Sequence, residues 1–158
     1  DPRNSGAYFD LGNAQIMLNE PSQALLSFER AAKLRPDFWE AINNQGLVLF
    51  ELGRNAEALQ RWQQVLKIKP DAAETTLAMA AGMLTRGGNG DRAEAIRLAG
   101  QALAEDPNYA LDSFRKEQLW GERLRAATRV LLAQPELKAN VDRANANATQ
   151  PGEKQDTP

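Results

Sequence analysis

The side chains that most often do chemistry are scarce in this chain. It has no histidine and no cysteine. That removes the commonest general base, the commonest transition-metal ligand, thiolate nucleophiles and disulfides. The serines Ser5, Ser22, Ser27 and Ser113 therefore have no imidazole to activate them. Carboxylate pairs such as Glu40/Glu51 and Asp71/Glu74 are the remaining acid–base candidates. Solvated helices carry such pairs without any catalytic role. Gly87-Gly88-Asn89-Gly90 is rich in glycine, but it lacks the lysine and Ser/Thr of a phosphate-binding loop and joins two helical segments, where that motif follows a strand. No catalytic, cofactor or metal site is expected, and the chain does not read as an enzyme.

The elements must instead position a surface. Pro2, Pro36, Pro70 and Pro107 stand 34, 34 and 37 residues apart. A fixed period in this range marks a stacked-repeat protein, in which each unit buries its apolar face only against its neighbours. Other residues fall into the same register. Ahead of each proline come Ala31-Ala32, Val65-Leu66 and Ala102-Leu103, then a larger slot at Phe28, Trp62 and Ala99, then an alanine at Ala24, Ala58 and Ala95. The set Phe9, Ile16, Leu25, Leu26, Phe28 and Ala32 has helical spacing. Turn signals stand at Asn19-Glu20-Pro21, Gly53-Arg54-Asn55 and Gly87–Gly90, and Asn and Gly tolerate the left-handed conformation that ends a helix. The prolines stop each second helix. Arg35 and Lys69 just before them suit the helix dipole better than Asp106 does.

With Leu11-Gly12, Gln45-Gly46 and Met79-Ala80 in the first half of each unit, this pattern resembles the tetratricopeptide repeat over residues 1 to about 109. The resemblance implies an all-α fold, an α-solenoid of antiparallel helix pairs wound as a right-handed superhelix. Repeat 1 covers 5–38, repeat 2 covers 39–72 and repeat 3 covers 73–109, with three extra residues in the turn at Arg86–Asp91. Departures fall in repeat 3, where Ala80 replaces the usual glycine and Ala99 the usual aromatic, so looser packing or filling by a neighbour is expected there.

Residues 1–4 look like the end of a preceding repeat, so the chain is expected to be a piece of a longer protein. Residues 110–134 read as one long capping helix, with an apolar stripe Phe114, Trp120, Leu124, Ala127 and Leu131 that skips one turn. Residues 135–146 read as a short polar helix without an apolar face of note, and 147–158 as a disordered tail. Asn147-Ala148-Thr149 matches a glycosylation acceptor, a pattern that arises often by chance.

The composition is that of an ordinary soluble globular chain, 42% hydrophobic and 25% charged with a formal charge of −2. No attraction to nucleic acid follows from that charge, and no run of 18 apolar residues could span a membrane. Alanine- and glutamine-rich usage points to a bacterial source; the compartment stays open.

In the resembled family, first helices line a concave groove. This implies a peptide-binding face of Phe9, Asp10, Asn13, Glu40, Asn43, Asn44, Leu47, Phe50, Glu51, Glu74 and Leu77, with Ile16 and Met17 beside them. One subset of the family clamps a C-terminal carboxylate with basic residues and asparagines. Asn13 and Asn44 match its asparagines, whereas Phe9, Glu74 and Ala78 replace its basic residues. No such clamp is expected. The expected role is a protein-interaction module or scaffold for a partner protein or peptide with basic and apolar side chains. A homo-oligomeric structural element, or a regulatory arm of a larger protein, is the alternative.

Overall fold

Each repeat starts a helix where local signals allow one and ends it where they forbid it. The computed structural model describes residues 2–149. The first hairpin is α1 (Ser5–Met17) and α2 (Pro21–Leu34), the second α3 (Trp39–Glu51) and α4 (Asn55–Ile68), the third α5 (Ala73–Arg86) and α6 (Asp91–Glu105). Asn4 caps α1, its Oδ1 accepting from Ala7 N at 3.0 Å. Pro21 opens α2, where its missing N–H has no intrahelical partner to lose. Asn19, Gly53 and Gly87 take φ of 57°, 80° and 66°. After α1 and α3 the same two backbone bonds close the turn. Glu20 N donates to Gln15 O and Asn19 N to Ile16 O; Arg54 N donates to Leu49 O and Gly53 N to Phe50 O. The molecule is an all-α solenoid, with no strand among the described residues.

Within a hairpin, a glycine lets an aromatic ring lie against the helix backbone. A Cβ on Gly12 would lie 2.6 Å from the Phe28 ring, and one on Gly46 would collide with Trp62 Nε1. In the third hairpin Ala80 and Ala99 occupy these two slots, and both are fully buried. The smaller pair thus leaves no exposed gap. The three extra residues of repeat 3 are distributed. α5 and α6 are each one residue longer than α3 and α4, and the turn between them one residue longer than Leu52–Arg54. Asp91 closes that turn by accepting from Gly88 N at 2.8 Å and pairing through both oxygens with Arg86.

Beyond Tyr109 three expectations are corrected. The single long capping helix is two helices, α7 (Asp112–Glu117) and α8 (Glu122–Leu132), after a 3-10 turn at Pro107–Ala110. Leu119 breaks them apart with φ 69°. Its turn is closed as after α1 and α3, with Trp120 N donating to Arg115 O and Leu119 N to Lys116 O. The skipped turn in the apolar stripe was this break. The short polar helix is α9 (Lys138–Asn147), and it does have an apolar edge. Leu137, just before it, and Ala144 and Ala148 are buried, with Val141 packed beside them, and the helix lies against α6 and the 3-10 turn. Residues 147–149, expected to open the disordered tail, are ordered. Asn147 ends α9, Ala148 is buried, and Thr149 N donates to Asn108 Oδ1 at 2.7 Å. Asp1 and residues 150–158, the ends of the segments read as a preceding repeat and as disordered, lie outside the described residues.

The register of the second helices continues into α8. After Leu119, the fully buried Leu124, Thr128 and Leu131 follow at the steps that separate Ala24, Phe28 and Ala31 from Asn19, and Ala58, Trp62 and Val65 from Gly53. α7 and α8 are therefore a fourth hairpin whose first helix is cut to six residues. A helix that short cannot carry α8 along the outer layer. α8 instead packs on the inner helices α5 and α3, joining one continuous core with Phe28, Phe50, Trp62 and Leu77.

Candidate functional site

The groove implied by the repeats is occupied over its second and third units by the chain itself. Gly121 sits against Glu51, and a Cβ there would collide with the Glu51 carboxyl carbon. That close approach lets Glu51 cap α8: Oε1 accepts from Arg123 N at 2.9 Å and Oε2 from Leu124 N at 3.1 Å. A carboxylate at a helix N-terminus satisfies orphan N–H groups and meets the positive end of the dipole. Arg123 reaches the other way, its Nε donating to Phe50 O at 3.1 Å near the C-terminal end of α3. Trp120 Nε1 donates to Glu74 Oε2 at 2.9 Å. The Glu74 carboxyl is buried, although the residue as a whole keeps some exposure. Loss of hydration pushes its pKa up to about 7, against the hydrogen bonds from Trp120 and Asn43 that favour the charged form; nearby Glu40 raises it further.

Most of the expected peptide-binding residues are therefore not open to a peptide. Leu47, Phe50 and Leu77 are core residues. Asn43 and Asn44 are buried and bonded within the chain. Thr75 Oγ1 donates to Asn43 Oδ1 at 2.6 Å, Asn43 Nδ2 to Asn44 Oδ1 at 3.2 Å, and Asn44 Nδ2 to Asn13 Oδ1 at 3.0 Å. This polar ladder ties α1, α3 and α5 together and uses the amides that the sequence offered to a ligand. Phe9 is half-buried between the Phe28 and Phe38 rings, with centroids at 5.8 and 4.9 Å. Glu40 is half-buried; Asp10 and Met17 are exposed. Position in the repeat could not distinguish these cases, because the cover comes from 46 to 73 residues further along the chain.

What stays open is a cleft of about 340 Å³ between α1, α3 and the turn at 119–122. Ile16, Leu47, Val48 and Leu119 form its apolar wall, and Glu51 and Glu122 its acidic edge. The Leu119 and Gly121 contributions were missed from sequence. The signal was present in the spacing from Leu119 to Pro135, which is one residue short of that from Asn19 to Pro36.

A second charged cluster holds the fourth hairpin together. Asp112 accepts from Arg125 at 2.9 Å and from Arg129 at 3.2 Å, with Arg115 at 3.4 Å, and these guanidinium groups hold its carboxyl below the usual range. Arg115 is itself buried and donates to Tyr109 O at 2.7 Å. Among the described residues, no group of three or more His, Cys, Asp or Glu side chains is placed to hold a metal ion. None of the described helices is long and apolar enough to cross a membrane.

Comparison with known proteins agrees with this architecture. Residues 3–73 match the family model of the tetratricopeptide repeat. The chain is 27% identical over 92 residues to the Protein CTR9 homolog of Arabidopsis thaliana, which is 58% of this chain and 8% of that protein. It is 31% identical over 71 residues to Superkiller complex protein 3 of Mus musculus, 45% of this chain and 4% of that protein. The chain thus spans less than a tenth of either relative. A crystal structure of MamA protein superposes with a TM-score of 0.57 at 27% identity, covering 70% of this chain and 58% of that one. A second crystal structure of MamA gives a TM-score of 0.66 over 92% of this chain and 81% of that one; at 16% identity it speaks to the fold alone.

Proposed function

The chain carries tetratricopeptide repeats, and on that premise we propose that it is a protein-interaction module whose binding surface is the cleft between α1 and the 119–122 turn. Proteins built on this repeat generally mediate contacts between proteins. One observation carries the choice of surface: α8 fills the concave face over α3 and α5, leaving the α1 side as its open remainder. The partner is a protein segment that inserts an apolar side chain against Ile16, Val48 and Leu119 and presents a basic residue to the acidic edge. Shape and apolar contact would supply affinity here, and the charges would supply orientation.

Fluorescence anisotropy with labelled peptides that combine leucine or phenylalanine with lysine or arginine tests this reading. Ile16→Glu is expected to weaken the best binders at least tenfold. Leu26→Glu, an exposed position on the outer helix α2, is expected to leave them unchanged. Binders indifferent to Ile16→Glu would refute the cleft as the surface. Substitutions at Asn44 or Glu51 are poor probes, because both side chains hold the fold together.

A further inference from the structure

The junctions at Pro36, Pro70 and Pro107 are copies of one turn, and the first two carry their own cation. In the first, the Arg35 guanidinium lies 3.7 Å from the centroid of the Phe38 ring, and its Nε stands 3.9 Å from Asp37. In the second, Lys69 holds Asp71 at 2.8 Å. In the third, the counterpart of Arg35 and Lys69 is Asp106, and the counterpart of Phe38 is Tyr109. One position earlier, Leu34 and Ile68 give way to Glu105. Glu105 ends α6 and Asp106 follows it, at the end of the helix where the dipole disfavours negative charge. The aromatic slot is kept there, its cation is lost, and two carboxylates stand in its place.

These acids line a cleft of about 220 Å³ between the starts of α3 and α5 and the end of α6. Trp39, Glu74 and Tyr109 line it with them, beside the Lys69–Asp71 pair. Among the described residues no cation pairs with Glu74, Glu105 or Asp106. Tyr109 gives a second, independent sign. It is 7% exposed, yet its hydroxyl has no hydrogen-bond partner among the described residues. Burial and the nearby Glu74 and Asp106 carboxylates hold its pKa above the ordinary range. Both of those carboxylates are cleft residues, which puts the hydroxyl on the cleft side. A hydroxyl buried without a partner costs free energy that a ligand group meeting it would recover.

The kind of cation follows from the arrangement. Among the described residues, no three carboxylates gather closely enough to hold a metal ion. Acceptors spread around an aromatic wall suit a planar group with several N–H donors. We infer that this cleft binds a guanidinium group, the arginine side chain of a partner protein, in the role that Arg35 fills at the first junction. Charge-assisted bonds to Glu105 and Asp106 and contact with Trp39 would hold it. Free arginine is the poorer ligand, because its own carboxylate meets an acidic wall. The site stands at the start of α3, whereas the cleft beside α1 is lined from the other end of that helix, so the two readings are independent.

The test titrates capped arginine (acetyl-arginine-amide), its uncharged citrulline counterpart and free arginine into the full chain, followed by NMR. Capped arginine is expected to shift the signals of Trp39, Glu105, Asp106 and Tyr109 saturably. The citrulline compound should shift none of them, and free arginine should bind several-fold more weakly. Glu105→Gln should weaken capped arginine about tenfold, while Lys69→Met, which removes the cleft's own cation, should tighten it. Tyr109→Phe should weaken it without lowering the melting temperature. Glu29→Gln, at an exposed position on α2, should change nothing. Equal shifts with citrulline, indifference to Glu105→Gln, or an equal effect of Glu29→Gln would overturn the inference. Free arginine binding as tightly as the capped form would overturn the assignment to a protein side chain.

Discussion

Glu74→Gln should make this protein more stable, and only above a definable pH. The Glu74 carboxyl has its pKa raised from 4.5 to about 7, chiefly by burial. The folded state therefore holds a proton that the unfolded chain has already released between pH 4.5 and 7. A group that binds its proton more tightly when folded stabilises the fold at low pH and loses that contribution as pH rises. The loss begins near the unfolded value, is complete near pH 7 and is flat above it. At about 1.4 kcal/mol per pKa unit, the ionised carboxylate costs on the order of 3–4 kcal/mol at pH 8 relative to its protonated form. Glutamine is uncharged at every pH and keeps an oxygen that can accept from Trp120 Nε1, the bond that pins the turn at 119–122 to α5. For a chain of this length, a cost of that size corresponds to several degrees of melting temperature. Thermal unfolding followed by circular dichroism at pH 5 and pH 8, with both proteins in the same buffers, measures it. The difference between variant and wild type isolates Glu74 from the other carboxylates that titrate in the window. The variant should melt close to the wild type at pH 5 and several degrees higher at pH 8. An equal difference at both pH values, or a variant less stable at pH 8, would refute the argument that burial dominates at this residue.

Three further outcomes follow from packing. Gly121→Ala and Glu51→Gln both disturb the capping of α8, so urea midpoints should show each costing about 1–2 kcal/mol and the pair costing clearly less than the sum; additive losses would show that the two do not share one contact. Trp62→Ala removes a fully buried ring that also donates to Asn43 O at 3.3 Å, and should cost about 3–5 kcal/mol in the same assay; a loss below about 1 kcal/mol would place the core elsewhere. Leu137→Ala should free α9, so that hydrogen exchange speeds up in α9 while α1–α4 keep their protection; equal loss of protection in α1–α4 would mean that α9 is part of the global folding unit.

The parts of this molecule legible in the sequence are those fixed by contacts at short separation. Asn19, Gly53 and Gly87 announce left-handed turns because few residues tolerate that conformation, and the structure has all three there. Gly12 with Phe28, and Gly46 with Trp62, recur at one spacing because each pair fills one crossing between adjacent helices. Leu119 was not legible in this way. It takes the same conformation with a side chain that seldom does, so its turn looked like the middle of a helix. The apolar edge of α9 was missed for a related reason. Val141 and Ala144 are few and small among charged neighbours, and only the surface of α6 gives them something to bury against.

The sequence by itself determined an array of helical hairpins, because a 34-residue period of small, aromatic and proline residues admits one local solution and each unit packs mainly on the next. It also determined the chemistry available on the inner helices: asparagine amides, carboxylates and apolar side chains. Only the tertiary structure decided which of these remain free. Whether Glu51 and Glu74 face a partner or the chain's own α8 depends on contacts made across 46 to 73 residues by Trp120, Arg123 and Leu124. Such contacts leave no periodic trace, because they are set by where a shortened helix lets the chain go and not by the neighbours of either residue.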